Sequence, residues 1–397
     1  MGLTMGQRKA VTKATAARYR SASKKQKALI LDELCELTGW HRDHARKALR
    51  QARRPPSARL PRQRRPRPPV YGEEVLVPLR RIWAVMDAPA GKRLAPFLPE
   101  IVAVLRRCGE LELAPEVRAK LVRISAATID RRLAPQRKKM TLKGRSGTKP
   151  GSLLKSQIPI RTWAEWDDDR PGFIEIDLVG HEGGNPGGDF AQTLTCTDIA
   201  TGWTETRAVK NKAQKWVFAA LTGITDAFPF PIVGIDSDNG SEFINGQLLR
   251  WCRQQEITFT RSRAGNKNDG AHVEQKNWSV VRQAVGYHRH DTDPEVAALN
   301  EIYARLRLMI NYFSPQQKLI SKTRHGAKVT KRYDIAATPY QRVMADPRVP
   351  KKIKTGLTRE YRTLNPVQIR REIIKLGDEL LGLVIAKHQR PSSPNQT

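Results

Sequence analysis

The chain has 397 residues, too many for one average domain, and carries 71 Lys and Arg against 39 Asp and Glu, a formal net charge of +32. Such an excess calls for a polyanionic partner, and nucleic acid is the leading one. No apolar stretch has the length of a bilayer span, no long basic amphipathic segment suits a membrane surface, and the opening MGLTMGQRKAVTK lacks the apolar run of a signal peptide.

Residues 24–52 come first in chain order. Leu29, Ile30, Leu34 and Leu37 mark one helix face, Thr38-Gly39-Trp40 breaks it, and Ala45, Ala48 and Leu49 mark a second helix. Two short helices around a glycine turn form the helix-turn-helix pattern, and the second carries His41, Arg42, His44, Arg46, Lys47 and Arg50 mostly off its apolar stripe. A major-groove reader needs that division, with an apolar seam on one side and donors on the other. A plain helical hairpin with a solvated basic face is the competing reading. The next segment, residues 52–70, holds seven arginines and six prolines and no acidic residue. Proline keeps it extended, so Arg53, Arg54, Arg62, Arg64, Arg65 and Arg67 can follow phosphates or enter a minor groove. A soluble spacer would have the same composition.

A second helical unit is predicted over 71–135. Its last part breaks at Ile124-Ser125, with Ser125 as N-cap of a helix that presents Thr128, Asp130, Arg131 and Arg132; Thr128, Arg131 and Arg132 are its candidate DNA contacts. A basic linker over 136–164 follows. Beyond it the pattern changes: 172–180, 191–200 and 203–209 alternate as strands, 212–226 is helical, 231–236 is a fourth strand, 242–255 a helix, 257–262 a fifth strand and 271–286 a helix. This order defines an α/β layer domain. The glycine-rich 181–190 lacks the GK[ST] of a phosphate-binding loop and reads as a long hairpin connection. Trp203 and Trp216 read as core. The tail, 316–397, is basic, with a clear amphipathic helix over 365–387 that packs on its own core or on a partner.

Four widely spaced cysteines, Cys35, Cys108, Cys196 and Cys252, form no CxxC pair, so they read as reduced core residues of an intracellular protein and not as zinc ligands.

The chemistry is carried by carboxylates. Asp177 lies mid-strand among Ile174, Ile176 and Leu178, and alternation puts Glu175, Asp177 and Val179 on one face. A carboxylate among apolar neighbours is costly unless paired or metal-bound. Asp238 follows the fourth strand in Asp238-Asn239-Gly240, and Glu274 lies in the helix AHVEQKNWSVVRQAV, whose packing stripe is 273, 277, 280, 281, 284 and 285. Asp236, Asp198, Asp269 and Glu175 compete for the same duty, Asp198 with an ordinary hairpin-turn role and Asp269 with a helix cap.

With 60 residues between Asp177 and Asp238 and 35 between Asp238 and Glu274, and with Asn268-x-Gly270 before Glu274, residues 165–315 resemble the DDE catalytic core of integrases and insertion-sequence transposases. Within these, the chain resembles the IS481-like or unclassified integrase-like bacterial branch. The resemblance implies an RNase-H-like core flanked by N-terminal helix-turn-helix modules (1–52 and 71–135) and a basic C-terminal DNA-binding or oligomerisation region. It implies that Asp177, Asp238 and Glu274 are both the catalytic residues and the ligands of two Mg²⁺ ions, replaceable by Mn²⁺. Such a pair, about 3.5–4 Å apart, supports in-line displacement at phosphorus. Lys267, His272, Lys276 and Arg282 are candidate DNA contacts, Lys276 near the reactive phosphate, with His272 alternatively a contact to substrate water or the start of the helix. The implied activity is transposition: binding terminal inverted repeats, cleaving ends and joining them to target DNA. The implied partners are double-stranded DNA and further copies of the chain, at least a dimer and alternatively a tetramer, in the bacterial cytoplasm at the nucleoid. An inactive architectural protein and a nuclease without strand transfer are the alternatives.

Overall fold

The computed structural model describes residues 3–52, 70–138, 170–237, 243, 245–261, 273 and 276–389. It divides into two compact units, Met1–Pro69 and Val70–Thr397.

The first unit is three helices, α1 (Met5–Ser21), α2 (Lys24–Thr38) and α3 (Arg42–Ala52). Helix α1 was not expected from periodicity, yet Thr4 and Gln7 form a capping box at its start, as Ser23 and Gln26 do for α2. Gly39 ends α2 at φ +66°, a conformation that suits glycine, and its N–H donates to Cys35 O. The core is Ala16, Leu31, Leu34, Ala45 and Leu49. The inward stripe of α2 is therefore Ile30, Leu31, Leu34 and Thr38, while Leu29 and Leu37 are exposed. The expected stripe was turned by about one residue, because α1 supplies a second surface for α2 to meet.

The second unit begins with α4 (Glu73–Val85), α5 (Gly91–Arg107), α6 (Pro115–Val122) and α7 (Ala126–Lys138). Ser125 does cap α7, accepting from Thr128 N at 3.3 Å. Asp130 is partly exposed and also bridges elements: it accepts from Gly91 N at 2.8 Å and pairs with Arg137, tying α7 to the start of α5. The approach is close, since a Cβ at Gly91 would lie 2.2 Å from Ala126 O.

The α/β core is a five-stranded mixed sheet in the order β3-β2-β1-β4-β5. Its strands are β1 (Phe173–Gly180), β2 (Gln192–Asp198), β3 (Thr204–Val209), β4 (Gly234–Ser237) and β5 (Thr258–Arg261). Strands β1 to β3 form an antiparallel meander, and β4 and β5 run parallel to β1. Between them come α8 (Gln214–Thr225) and α9 (Gly246–Gln254), then α10, a π-helical turn Asn277–Arg282 running into an α-turn Gln283–Val285, and α11 (Asp293–Phe313). This is the mixed-sheet, RNase-H-like architecture expected. Trp203 is core, but Trp216 is 40% exposed under Lys215 and is not.

Edge strand β3 is covered by amide side chains of α11. Asn311 pairs with both backbone groups of Thr204, and Asn300 with both of Ala208. Eleven residues, three helical turns, separate the two asparagines, so both face the strand. The free edge is thereby closed against other strands.

The tail has a hairpin, β6 (Leu319–His325) and β7 (Lys328–Tyr333), then α12 (Pro339–Ala345), α13 (Lys351–Thr363) and α14 (Pro366–Gln389). Helix α14 packs along α11, burying Ile369, Ile373, Leu380 and Val384; Ile374 is exposed. The amphipathic helix thus packs on its own chain. These helices also hold the N-terminal helices of the unit: Glu100 accepts from Tyr361 Oη at 2.6 Å and from Gln341, and Arg370 meets Asp87 at 2.7 Å.

Candidate active site

Period-two alternation and in-register pairing put one set of side chains on one face of the sheet. Glu175 and Asp177 of β1 stand beside Thr197 and Thr195 of β2, and Glu175 is also level with Asp236 of β4, itself level with Thr260 of β5. This face is polar, although Glu175, Asp236 and the threonines are almost fully buried. The alternate residues, Ile174, Ile176, Leu194, Cys196, Ile235 and Phe259, are apolar.

Buried carboxylates need partners, and each has one. Glu175 accepts from the backbone N–H of Val273 at 3.2 Å, and Asp236 from Thr260 Oγ1 at 2.5 Å. Asp177, half-buried, accepts from Leu178 N at 2.8 Å and from Asn277 Nδ2 at 2.5 Å. Val273 and Asn277 therefore seat this helical segment on β1, across the face that carries both acids. Asn277 was expected in the apolar packing stripe. Its neighbours Val280, Val281 and Val285 are indeed buried, but Asn277 uses its place on the stripe to hold Asp177. The signal available in sequence was a lone amide among aliphatic stripe positions. The turn there is π-helical, with Gln283 N–H reaching back to Trp278 O, and π-turns recur at functional sites.

Asp238 and Glu274 lie outside the described residues, as do Lys267, His272, Asp269 and the linker arginines 53, 54, 62, 64, 65 and 67. What is described is their sequence surroundings. Ser237, which precedes Asp238, pairs with Ile176, which precedes Asp177. Val273 and Lys276 flank Glu274, and Val273 reaches Glu175. Among the described residues no group of three or more His, Cys, Asp or Glu could hold a metal ion.

Two expected DNA contacts are interior residues. Lys276 is 8% exposed, and its ammonium points to Gly202 O at 3.4 Å in the β2–β3 turn. Burial, reinforced by Arg93, pushes its pKa down to about 7. Arg282 is 7% exposed; it donates to Gly180 O at 2.6 Å and lies over the Tyr287 ring, and burial lowers its pKa. Both expectations rested on charge alone, whereas these side chains satisfy carbonyls at the ends of strands. Asp198 is also accounted for. It accepts from Gly172 N, Thr201 N and Thr201 Oγ1 at 2.6–2.8 Å, the hairpin-turn role, and burial raises it to about 6.

The glycine-rich connection 181–190 is a built loop. Arg289 donates to the carbonyls of Asn185, Gly187 and Asp189 at 2.7–3.0 Å, stacks on Phe190 and pairs with Asp291 at 2.6 Å. Gly183 is required there, since a Cβ would stand 2.6 Å from Arg289 N.

On α3, His44, Arg46, Lys47 and Arg50 are exposed, opposite the buried Ala45 and Leu49, while His41, expected on this helix, is exposed just before its start. Arg42 is half-buried, ion-paired with Asp32 and aimed at Ala28 O, so it braces the two helices. On α7, Arg131 is exposed, Thr128 is half-buried, and Arg132 is drawn inward to Tyr71 O at 3.2 Å.

A mixed sheet in this order, with acids on β1 met by Val273 and Asn277, is the RNase-H-like arrangement. A family model described as an integrase core domain matches residues 168–267. Over 343 residues the chain is 42% identical to "Uncharacterized protein y4rM" of Sinorhizobium fredii (strain NBRC 101917 / NGR234), covering 86% of this chain and 96% of that protein. The chain belongs to the y4rM family, with an integrase-type core. Among solved structures it is similar to the catalytic core domain of BIV integrase, at TM-score 0.30 and 13% identity over 48% of this chain and 98% of that one. It is also similar to the HTLV-2 integrase catalytic core domain in complex with magnesium, at TM-score 0.28 and 12% identity over 37% of this chain and 90% of that one. No helix among the described residues is long and apolar enough to cross a membrane.

Proposed function

We propose that the chain is a DNA transposase of the DDE type, acting in the bacterial cytoplasm at the nucleoid on double-stranded DNA, as a dimer at least. Asp177, Asp238 and Glu274 are its metal ligands in this reading. The observation that carries it is the seating of the Val273–Asn277 segment on β1 through Glu175 and Asp177. A carboxylate held by an amide donor on an otherwise apolar helix stripe is costly to build for stability alone. The described donors on this face are oxygens of carboxylates and hydroxyls, the hard set that Mg²⁺ prefers, with Mn²⁺ as substitute.

Two such ions, when bound, would activate the attacking oxygen and stabilise the leaving one. This chain's own contributions are distinct from that. Asn277 fixes the orientation of the Asp177 carboxylate, and the N–H of Val273 fixes Glu175. Thr260 restrains Asp236, which leaves Asp236 a structural acid beside the site. The exposed donors of α3, with Arg131 and Thr128 on α7, supply contacts to the terminal repeats, and the linker arginines and Lys267 and His272 supply further ones.

The test is strand transfer with a labelled pre-cut element end, supercoiled target plasmid and Mg²⁺ or Mn²⁺. Wild type joins the end, while Asp177→Asn and Glu274→Gln bind it without joining. DNA binding by wild type with neither cleavage nor joining on authentic ends would replace this reading with an architectural one. Cleavage without joining would indicate a nuclease.

A further inference from the structure

Among the described residues the β6–β7 hairpin is buried against no other element of its chain. Every residue of both strands is exposed. An isolated two-stranded hairpin is marginally stable in water, so one kept without burial is expected to meet something outside. Residues 318–333 hold six Lys or Arg and no acid. Lys322 stands directly opposite Lys331, a like-charge cross-strand pair that destabilises the free hairpin. Among the described residues, Lys322, Arg324, Lys328, Lys331 and Arg332 have no acidic partner.

The root, in contrast, is fixed firmly. Lys318 N donates to Asp334 Oδ1 at 2.6 Å, Asp334 N returns a bond to Lys318 O at 3.0 Å, and Arg342 pairs with Asp334 at 2.7 Å. Lys318 Nζ also reaches Ala200 O, in the β2–β3 turn that Lys276 meets. The ribbon thus projects from a rigid seat on the catalytic core.

The register sorts its side chains. Lys322, Lys331, Arg324 and Val329 share one face; Thr323, Thr330, His325, Lys328, Ser321 and Arg332 share the other. One face is cationic, the other a ladder of short hydroxyls flanked by long cations. A strand of six or seven residues is about 20 Å long, and the major groove, about 12 Å wide, admits a two-stranded ribbon. Hydroxyls suit base edges and long cations suit the flanking phosphates.

We propose that the β6–β7 ribbon lies in the major groove of duplex DNA, a contact separate from the helix-turn-helix helices. It rests on the reading of the chain as a DNA-acting protein, and it adds a contact made from the core itself.

Binding of the full chain to a labelled duplex of about 30 base pairs is followed by anisotropy over a salt series. The ribbon variant is Lys328→Gln/Arg332→Gln, the cations that flank the hydroxyls on the groove-facing side, and a charge-matched control is Arg359→Gln/Arg362→Gln on the exposed side of α13. Each lost phosphate contact lowers the slope of log K against log salt by about 0.9. The ribbon variant is expected to lose about two from the slope and to bind at least about tenfold more weakly near 0.1 M salt. The control stays closer to wild type, and both variants keep the wild-type Tm. Equal losses in the two variants, or an unchanged slope in the ribbon variant, would overturn the proposal and leave the wider reading standing. A smaller mass for the ribbon variant in light scattering, with the slope unchanged, would assign the ribbon and its exposed Leu319, Ile320 and Tyr333 to contact between copies, also overturning it. Failure of wild type to bind DNA would remove both readings together.

Discussion

Replacing Asn277 by alanine removes a 2.5 Å hydrogen bond to a half-buried carboxylate while leaving the helix intact. Hydrogen bonds to charged groups contribute about 1.5–3 kcal/mol. Each 1.4 kcal/mol is about a factor of ten, so full loss of orientation corresponds to roughly 10- to 100-fold. That range is also the usual effect of removing a partner that orients a metal ligand. Two measurements read it: Mn²⁺ affinity by titration calorimetry and the strand-transfer rate. Both should fall in Asn277→Ala, with DNA affinity held. A double-mutant cycle adds a readout independent of activity. In an Asp177→Ala background the stability effect of Asn277→Ala should shrink by about 1 kcal/mol or more, because the bond is already gone. Wild-type metal affinity and joining rate in Asn277→Ala, or strict additivity of the two substitutions in denaturant unfolding, would refute the positioning role.

Four further outcomes follow from the same contacts. Arg289→Ala should cost about 1–3 kcal/mol and release hydrogen-exchange protection across 182–191, since one guanidinium holds three carbonyls of that loop; retained protection there would contradict the clamp. Burial depresses His181 and His290 below the ordinary histidine pKa of 6.5, so the unfolded chain takes up protons first as pH falls. Their stabilisation is therefore complete above pH 6.5 and lost progressively below it, and His290→Leu should flatten the fall of Tm between pH 7 and 5. Asp198, raised to about 6, acts in the opposite sense: its folded form binds the extra proton between the ordinary 3.8 and about 6, so stability from this group declines as pH rises through that window. Asp198→Asn should abolish that component at a cost of about 1–2 kcal/mol, measured by chemical denaturation at pH 5 and pH 7. Truncation after Ala345 removes α13 and α14 and exposes the residues that α11 buries against them; it should yield aggregated protein, and a soluble, folded 70–345 fragment would show that the tail is dispensable.

Local chemistry in the sequence was sufficient for most elements and for the class of protein. Period-two runs located the five core strands, Ser125 located the start of α7, and Gly39 located the end of α2, because these features depend on neighbours within a few residues. The acid on β1 was also legible, since a carboxylate between aliphatic residues has few explanations. Other outcomes depended on what lies across the fold. Lys276, Asn277 and Arg282 lie on one helical segment, and only their neighbours on β1 and the β2–β3 turn decide that an amide holds an acid while two cations satisfy partly buried carbonyls. Asp198, Asp236 and Glu175 look alike in sequence as spare acids near Asp177; the first became a turn buckle and the others buried acceptors because of Thr201, Thr260 and the Val273 amide. The tail shows the same division. Its positive charge was plain from composition, but the separation into packed helices and an unburied ribbon came from tertiary contacts, since charge specifies a partner while burial depends on which distant surfaces meet.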